Sequence, residues 1–167
     1  MTPEEKNLVE EAKRILNREL ETTPLNADMT VRDLLRLNVG LCTTEQFGVV
    51  LLDFNSRVLE VTTLFYGGVK DVAVDLRKLC GYVLTSRAHK VILWHNHPSL
   101  SKQFSKEDLV LTRAISERLA LFDVEVVDHY LVTTTINSLR SSVNWPGGVP
   151  ESRIPPTEAV AASYEFV

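Results

Sequence analysis

Two of the four histidines stand in His95-Asn96-His97, directly after the apolar run Val91-Ile92-Leu93-Trp94. Four apolar residues bounded by polar ones suit a buried strand, and in a strand residues i and i+2 share a face with Cα atoms roughly 6.6 Å apart. Two imidazoles so placed can converge on one metal ion while Asn96 points away. Pro98 cannot donate to a ladder, so the chain leaves the sheet there, and open strand ends are where α/β sheets expose their sites. After seven intervening residues comes Ser105-Lys106-Glu107-Asp108. S-x-x-D ahead of an apolar helical run is a capping-box signal that needs no chemistry. The same geometry presents both side chains at a helix N-terminus, where Asp108 can be a third, anionic ligand and Ser105 can cap while offering its hydroxyl. The ordinary account of His95 and His97 is a pair of surface or hydrogen-bonded histidines, and a bare H-x-H also occurs in zinc hydrolases, iron oxygenases and inert proteins. Two histidines with one carboxylate also describe the open iron triad. An amidohydrolase barrel needs about 250 residues, more than the 167 here. An iron oxygenase suits an all-β jelly roll, so zinc with three ligands and one open position is the better fit.

These residues need a scaffold, and the pattern along the chain supplies one. Thr2-Pro3-Glu4-Glu5 reads as a helix start, followed by Leu8, Val9, Ala12, Ile15, Leu16 and Leu20 at the spacing of one helix face. Thr23 to Asn26 breaks that pattern. Thr30 with Asp33 resembles a capping box opening a second helix, whose apolar side is Leu34, Leu35 and Leu37, ending at Gly40. Phe47–Leu52 and Val58–Tyr66 read as a hairpin around the Asn55-Ser56-Arg57 turn. A helix over Asp75–Arg87, the strand before His95, a helix over Ser105–Phe122 and a strand within Val124–Thr135 follow. The order β-β-α-β-α-β predicts an α/β (α+β) fold, a mixed β-sheet flanked by helices. Residues 1–40 are expected to form a helical brace, 41–142 the domain carrying the site, and 143–167 an irregular, proline-containing tail.

Composition excludes several classes. The chain has 18 Lys and Arg against 22 Asp and Glu, a net charge of −4, and 44% hydrophobic residues, which is ordinary for a globular domain. It contains no run of about 18 apolar residues to span a bilayer and no leader pattern. Cys42 and Cys80 lie far apart, outside any paired zinc spacing. A cytoplasmic protein with reduced thiols is the simplest expectation. The acidic balance argues against broad phosphate-backbone binding, leaving Arg87, His89, Lys90 and Lys102 as the local basic candidates.

His95-x-His97, seven residues, then Ser105-x-x-Asp108 resembles the JAMM motif of the JAB/MPN metallopeptidases, and His95-Asn96-His97-Pro98-Ser99 resembles its RadC branch. The resemblance runs from about Glu45 to Leu139 and takes in Glu45-Gln46-Phe47, Arg77 and Asp128-His129. It implies a JAB/MPN-like (cytidine-deaminase-like) fold, with one Zn2+ per chain held by His95, His97 and Asp108. Glu45 would be the general base and Ser105 the stabiliser of water and oxyanion. The substrate would then be a peptide or protein, cleaved at a peptide or isopeptide bond. Glu60 is a competing carboxylate, but only Glu45 precedes the Phe47 strand. Asp128-His129 reads either as a pair that orients a ligand or as an ion pair on an outer strand.

Leu100 stands where the RadC pattern usually has glycine, and Phe104 and Leu76 stand where it usually has proline. The first 40 residues lack the Gly-x-Gly hairpin of the DNA-directed segment common in RadC proteins, so a stand-alone JAB domain is expected. Two competing functions remain: a DNA-associated factor, and an interaction scaffold that keeps the metal as structure only. A homo-oligomer is compatible with all three. The tail is a candidate strand added along a sheet edge or the substrate groove.

Overall fold

From Phe47 onward the apolar residues of the first strand point alternately to two sides, and both sides are covered. The computed structural model describes residues 1–22, 27–67, 73–142 and 145. Its elements are α1 (Pro3–Thr22), α2 (Ala27–Val39), β1 (Gln46–Leu52), β2 (Val58–Tyr66), α3 (Leu76–Thr85), β3 (Lys90–Asn96), α4 (Lys106–Ala120), β4 (Glu125–Val132) and β5 (Ile136–Ser138). The strands form one mixed sheet in the order β2-β1-β3-β4-β5. The α/β expectation of a mixed sheet flanked by helices is met. β3 and β4 are parallel, which requires a crossover, and α4 provides it.

One row of the sheet, with Phe47, Val49 and Leu93, packs against Leu79 and Val83 of α3 and Ile115 and Leu119 of α4. The other, with Val50, Ile92 and Trp94, packs against Val31, Leu35 and Val39 of α2. β3 is therefore covered on both faces, as its uninterrupted apolar run requires. α2 is also tied to β4 by polar contacts: the Tyr130 hydroxyl donates to Asp28, and the Arg32 guanidinium lies 4.4 Å from the Tyr130 ring centre. Burial and the Asp28 carboxylate push the Tyr130 phenol well above its ordinary range. Among the described residues no helix is long and apolar enough to cross a membrane.

Several details depart from the pattern reading. α2 begins at Ala27, so Thr30 lies inside the helix, buried, instead of capping it. Leu8, Ile15 and Leu37 face outward, because α1 covers α2 over a narrower stripe than their spacing suggested. β5 is an additional strand, three residues long and too short to show a period. The break at 23–26 and the tail at 143–167, Trp145 apart, lie outside the described residues.

The β3–β4 ladder carries a bulge. Val91 pairs with Val126 while Ile92 pairs with Asp128, leaving Val127 as the extra residue. A bulge reverses the phase of every side chain beyond it, so Val126 and His129 both face the α3/α4 layer. The Val127 carbonyl accepts from Arg140 Nη1 at 2.8 Å. The Asp128 carboxylate accepts from the His129 N–H at 2.7 Å and the Arg140 N–H at 3.0 Å. The irregular backbone is thus satisfied locally.

Gly48 pairs with Trp94 across β1 and β3, and the indole occupies the space a side chain would need. A Cβ there would collide with the Thr62 carbonyl and the Trp94 ring. Gly48→Ala is expected to lower stability by about 3 kcal/mol, the upper end for overpacking, measured by urea unfolding.

Candidate metal centre

His95 ends the row Val91-Leu93-His95 on the α3/α4 face and is 1% exposed. His97 lies one residue past β3, and its Nε2 is 3.1 Å from His95 Nε2. At the start of α4, Ser105 is the N-cap. Its hydroxyl accepts from the Asp108 N–H at 3.0 Å, and Asp108 Oδ2 accepts from the Ser105 N–H at 2.7 Å. The capping box therefore exists, and it aims Asp108 inward. Asp108 Oδ1 is 3.4 Å from His95 Nε2, and Oδ2 is 3.8 Å from His97 Nε2. Burial alone would raise the Asp108 carboxyl, but His95, when its ring is protonated, and the two Ser105 bonds hold it well below the ordinary carboxylate range.

Glu45, His95 and His97 form a group that could hold a metal ion, their ligand atoms all within 4.8 Å of one another. Glu45 is positioned through its neighbours. Asn96 Oδ1 accepts from the Gln46 N–H at 2.7 Å and Asn96 Nδ2 donates to the Thr44 carbonyl at 3.1 Å. The Glu45 carbonyl accepts from the Gly67 N–H at 2.8 Å. Asn96 thus points away from the metal position, as strand alternation requires, yet it clamps the chain on either side of Glu45. In the sequence this role of its side-chain amide has no signal beyond adjacency to His95.

His129 is 0% exposed and joins the site: its Nε2 lies 2.8 Å from His95 Nδ1. Burial first, then charge on His95 and His97, pushes it well below the ordinary histidine range, against the opposing effect of Asp108. Phe47 stacks on His95 with ring centres 6.3 Å apart, and Phe104 sits 5.8 Å from His95 and 5.4 Å from His129. Asp128, the other member of the Asp-His pair, is not brought to the site: it serves the bulge and accepts from Ser138 Oγ at 2.6 Å. Glu60 is also elsewhere, accepting from the Tyr82 hydroxyl at 2.7 Å. Arg87, His89 and Lys90 lie at or before the start of β3 while Lys102 lies beyond its far end, so these four do not make one basic face.

The donor set fits a cation. The cleft, about 690 Å3, has the carboxylates Glu45, Glu107 and Asp108 among its described lining residues but neither Lys nor Arg. His97 Nδ1 is 3.1 Å from the Ser101 carbonyl, which can only accept. Neutral His97 must therefore carry its hydrogen on Nδ1 and turn an Nε2 lone pair into the cleft. Four donors held about 2.0–2.1 Å from a tetrahedral zinc stand roughly 3.3 Å apart. The His95–His97 and His95–Asp108 separations, 3.1 and 3.4 Å, are of that size.

The RadC-like JAB domain profile matches residues 25–144 of the chain. A UPF0758 protein of Aromatoleum aromaticum is 36% identical over 127 residues, covering 75% of this chain and 56% of that protein. A UPF0758 protein of a Janthinobacterium species is 38% identical over 126 residues, with the same coverage, and one of Neisseria gonorrhoeae is 34% identical over 130 residues, 77% of this chain and 58% of its own. The chain thus spans little more than half the length of these relatives.

Two predictions follow from the site's supports. Asn96→Ala leaves the Gln46 N–H and Thr44 carbonyl without their clamp, and a loss of about 1–3 kcal/mol is expected in thermal unfolding. Leu100, in the loop between His97 and Asp108, has φ 60°, a conformation that costs a side-chain-bearing residue roughly 1–2 kcal/mol. Leu100→Gly should therefore raise stability by up to about 1 kcal/mol in the same assay.

Proposed function

The chain belongs to the RadC-like JAB domain family, and from that premise we propose that it is a zinc-dependent hydrolase of peptide or isopeptide bonds. The observation that carries this reading is the convergence of two imidazoles and two carboxylates in a cleft whose described lining residues include neither Lys nor Arg. His95, His97 and Asp108 are the ligands, because their mutual spacing suits one tetrahedral ion. Glu45, in the same group but held from the β1 side by Asn96, is the general base. A zinc ion there supplies a Lewis acid and brings the pKa of bound water to about 7.

The chain's own groups supply the remainder. The Glu45 carboxylate removes the proton from the attacking water and passes it to the leaving amine nitrogen as the C–N bond breaks. Ser105 accepts at its oxygen from the Asp108 N–H, which leaves its hydroxyl hydrogen to donate to the oxyanion. Phe47 and Phe104 line the wall beside His95 and keep water from that side of the cleft. A peptide or protein segment is the substrate class that an open cleft of this kind admits.

Metal analysis of the purified chain by mass spectrometry tests the reading. About one zinc per chain is expected in wild type and little in His97→Ala or Asp108→Ala. Glu45→Gln should keep its zinc and lose about 10²- to 10⁴-fold in cleavage of a peptide library. Zinc lost with Glu45→Gln but kept with Asp108→Ala would reverse the roles of the two carboxylates. No zinc in wild type, or equal zinc in all variants, would remove the hydrolase reading.

A further inference from the structure

We propose that Thr112 and His129 are positioning residues. A hydrogen-bond chain from the Asp108 main-chain carbonyl, through the Thr112 hydroxyl and the His129 ring, sets the tautomer of His95 so that its Nε2 lone pair faces the metal position. The role deepens the metal-centre reading above and rests on it for its purpose, though its geometry stands alone.

The polarity of the chain follows from counting hydrogens. Thr112 Oγ1 lies 2.6 Å from the Asp108 carbonyl oxygen and 2.6 Å from His129 Nδ1. A carbonyl has no hydrogen to give, and two oxygens that close repel unless one lies between them. The single hydroxyl hydrogen of Thr112 must therefore occupy the contact with Asp108. The contact with His129 is then filled only if His129 carries its hydrogen on Nδ1. A neutral imidazole has one N–H, so His129 Nε2 is an acceptor. His95 Nδ1, 2.8 Å away, must donate to it, which leaves His95 Nε2 bare. The opposite polarity would have Thr112 donating to His129, with two hydrogen-free oxygens facing each other at 2.6 Å.

The same count made from the other side reaches the same place. His97 is held with Nδ1–H on the Ser101 carbonyl, so its Nε2 is also bare, and the two lone pairs face each other across 3.1 Å. This contact is repulsive until a positive charge stands beside it. If His95 took the other tautomer, its Nε2–H would satisfy His97 and Asp108 Oδ1, 3.4 Å away, and the site would close on itself without a metal. The chain through Thr112 and His129 disfavours that closed state. A metal-bound histidine commonly donates its second nitrogen straight to a carbonyl or carboxylate; here two side chains extend that link to the first turn of α4. Asp108 thus serves twice, by its carboxylate at the metal position and by its carbonyl at the far end of the chain.

The test is long-range 1H–15N correlation on the metal-free full chain with labelled histidine, beside zinc affinity from chelator competition. Wild type and Thr112→Ser are expected to show His95 and His129 protonated at Nδ1. Thr112→Val, which keeps the shape and removes the hydroxyl, should move His95 toward Nε2–H and weaken zinc binding about 10- to 100-fold. His95 protonated at Nε2 in wild type would overturn the proposal, as would Thr112→Val with unchanged tautomer and affinity. Should the valine variant not fold, the wild-type and serine spectra still decide. The tautomers are read without metal, so a wild type that binds no zinc defeats the metal-centre reading while the ring nitrogens still decide the chain.

Discussion

Burying an imidazole in an apolar layer is costly unless each ring nitrogen has a partner, and His95 and His129, 1% and 0% exposed, impose that condition on everything near them. Phe47 and Phe104 deny both rings water on their flanks. Partners must then come from protein: Thr112 on α4 and the two rings' contact with each other satisfy three of the four nitrogens, and His95 Nε2 is left turned toward the metal position. The apolar surroundings strengthen each of these bonds and penalise any vacancy among them. The site is therefore as rigid as the core it grows from, because it is the polar end of that core.

The alternation of β3 distributes the work. His95 continues the row that packs on α3 and α4, and Asn96 continues the row that packs on α2. One residue contributes to the donor set and the next holds Glu45 by its flanking main chain, so His95 and Glu45 are referenced to adjacent positions of a single buried strand. The other donors come from the start of α4, where the capping box fixes the Asp108 rotamer. Strand end and helix start are both places where backbone geometry is well determined, which is what a site with tolerances of about half an ångström requires.

Much of this was readable before any coordinates. The two helices, the hairpin and the apolar run before His95 are strong periodic signals, and H-x-H followed by S-x-x-D names residues that do meet. What could not be read has a physical reason in each case. Thr112 and His129 are far apart in sequence and are joined only when α4 crosses over between β3 and β4. Asn96 makes its contacts through backbone 50 and more residues upstream, and no local pattern reports such a pairing. Asp128 and His129 read as a pair from their adjacency, but adjacent strand residues face opposite ways and only the histidine reaches the site. Thr30 looked like a cap because its side chain and Asp33 have the right spacing; tertiary packing of Val31 extended the helix past it.

The bulge at Val127 has a consequence for how this fold can change over time. Substitutions anywhere on β4 alter chemistry at one position and leave the facing of its neighbours intact. Loss of the Val127 codon would also leave facing intact: Val126, Asp128 and His129 would then alternate regularly, with Asp128 still toward α2 and His129 still toward His95, and the bulge alone would disappear. At its bulge this strand can change length without turning a face.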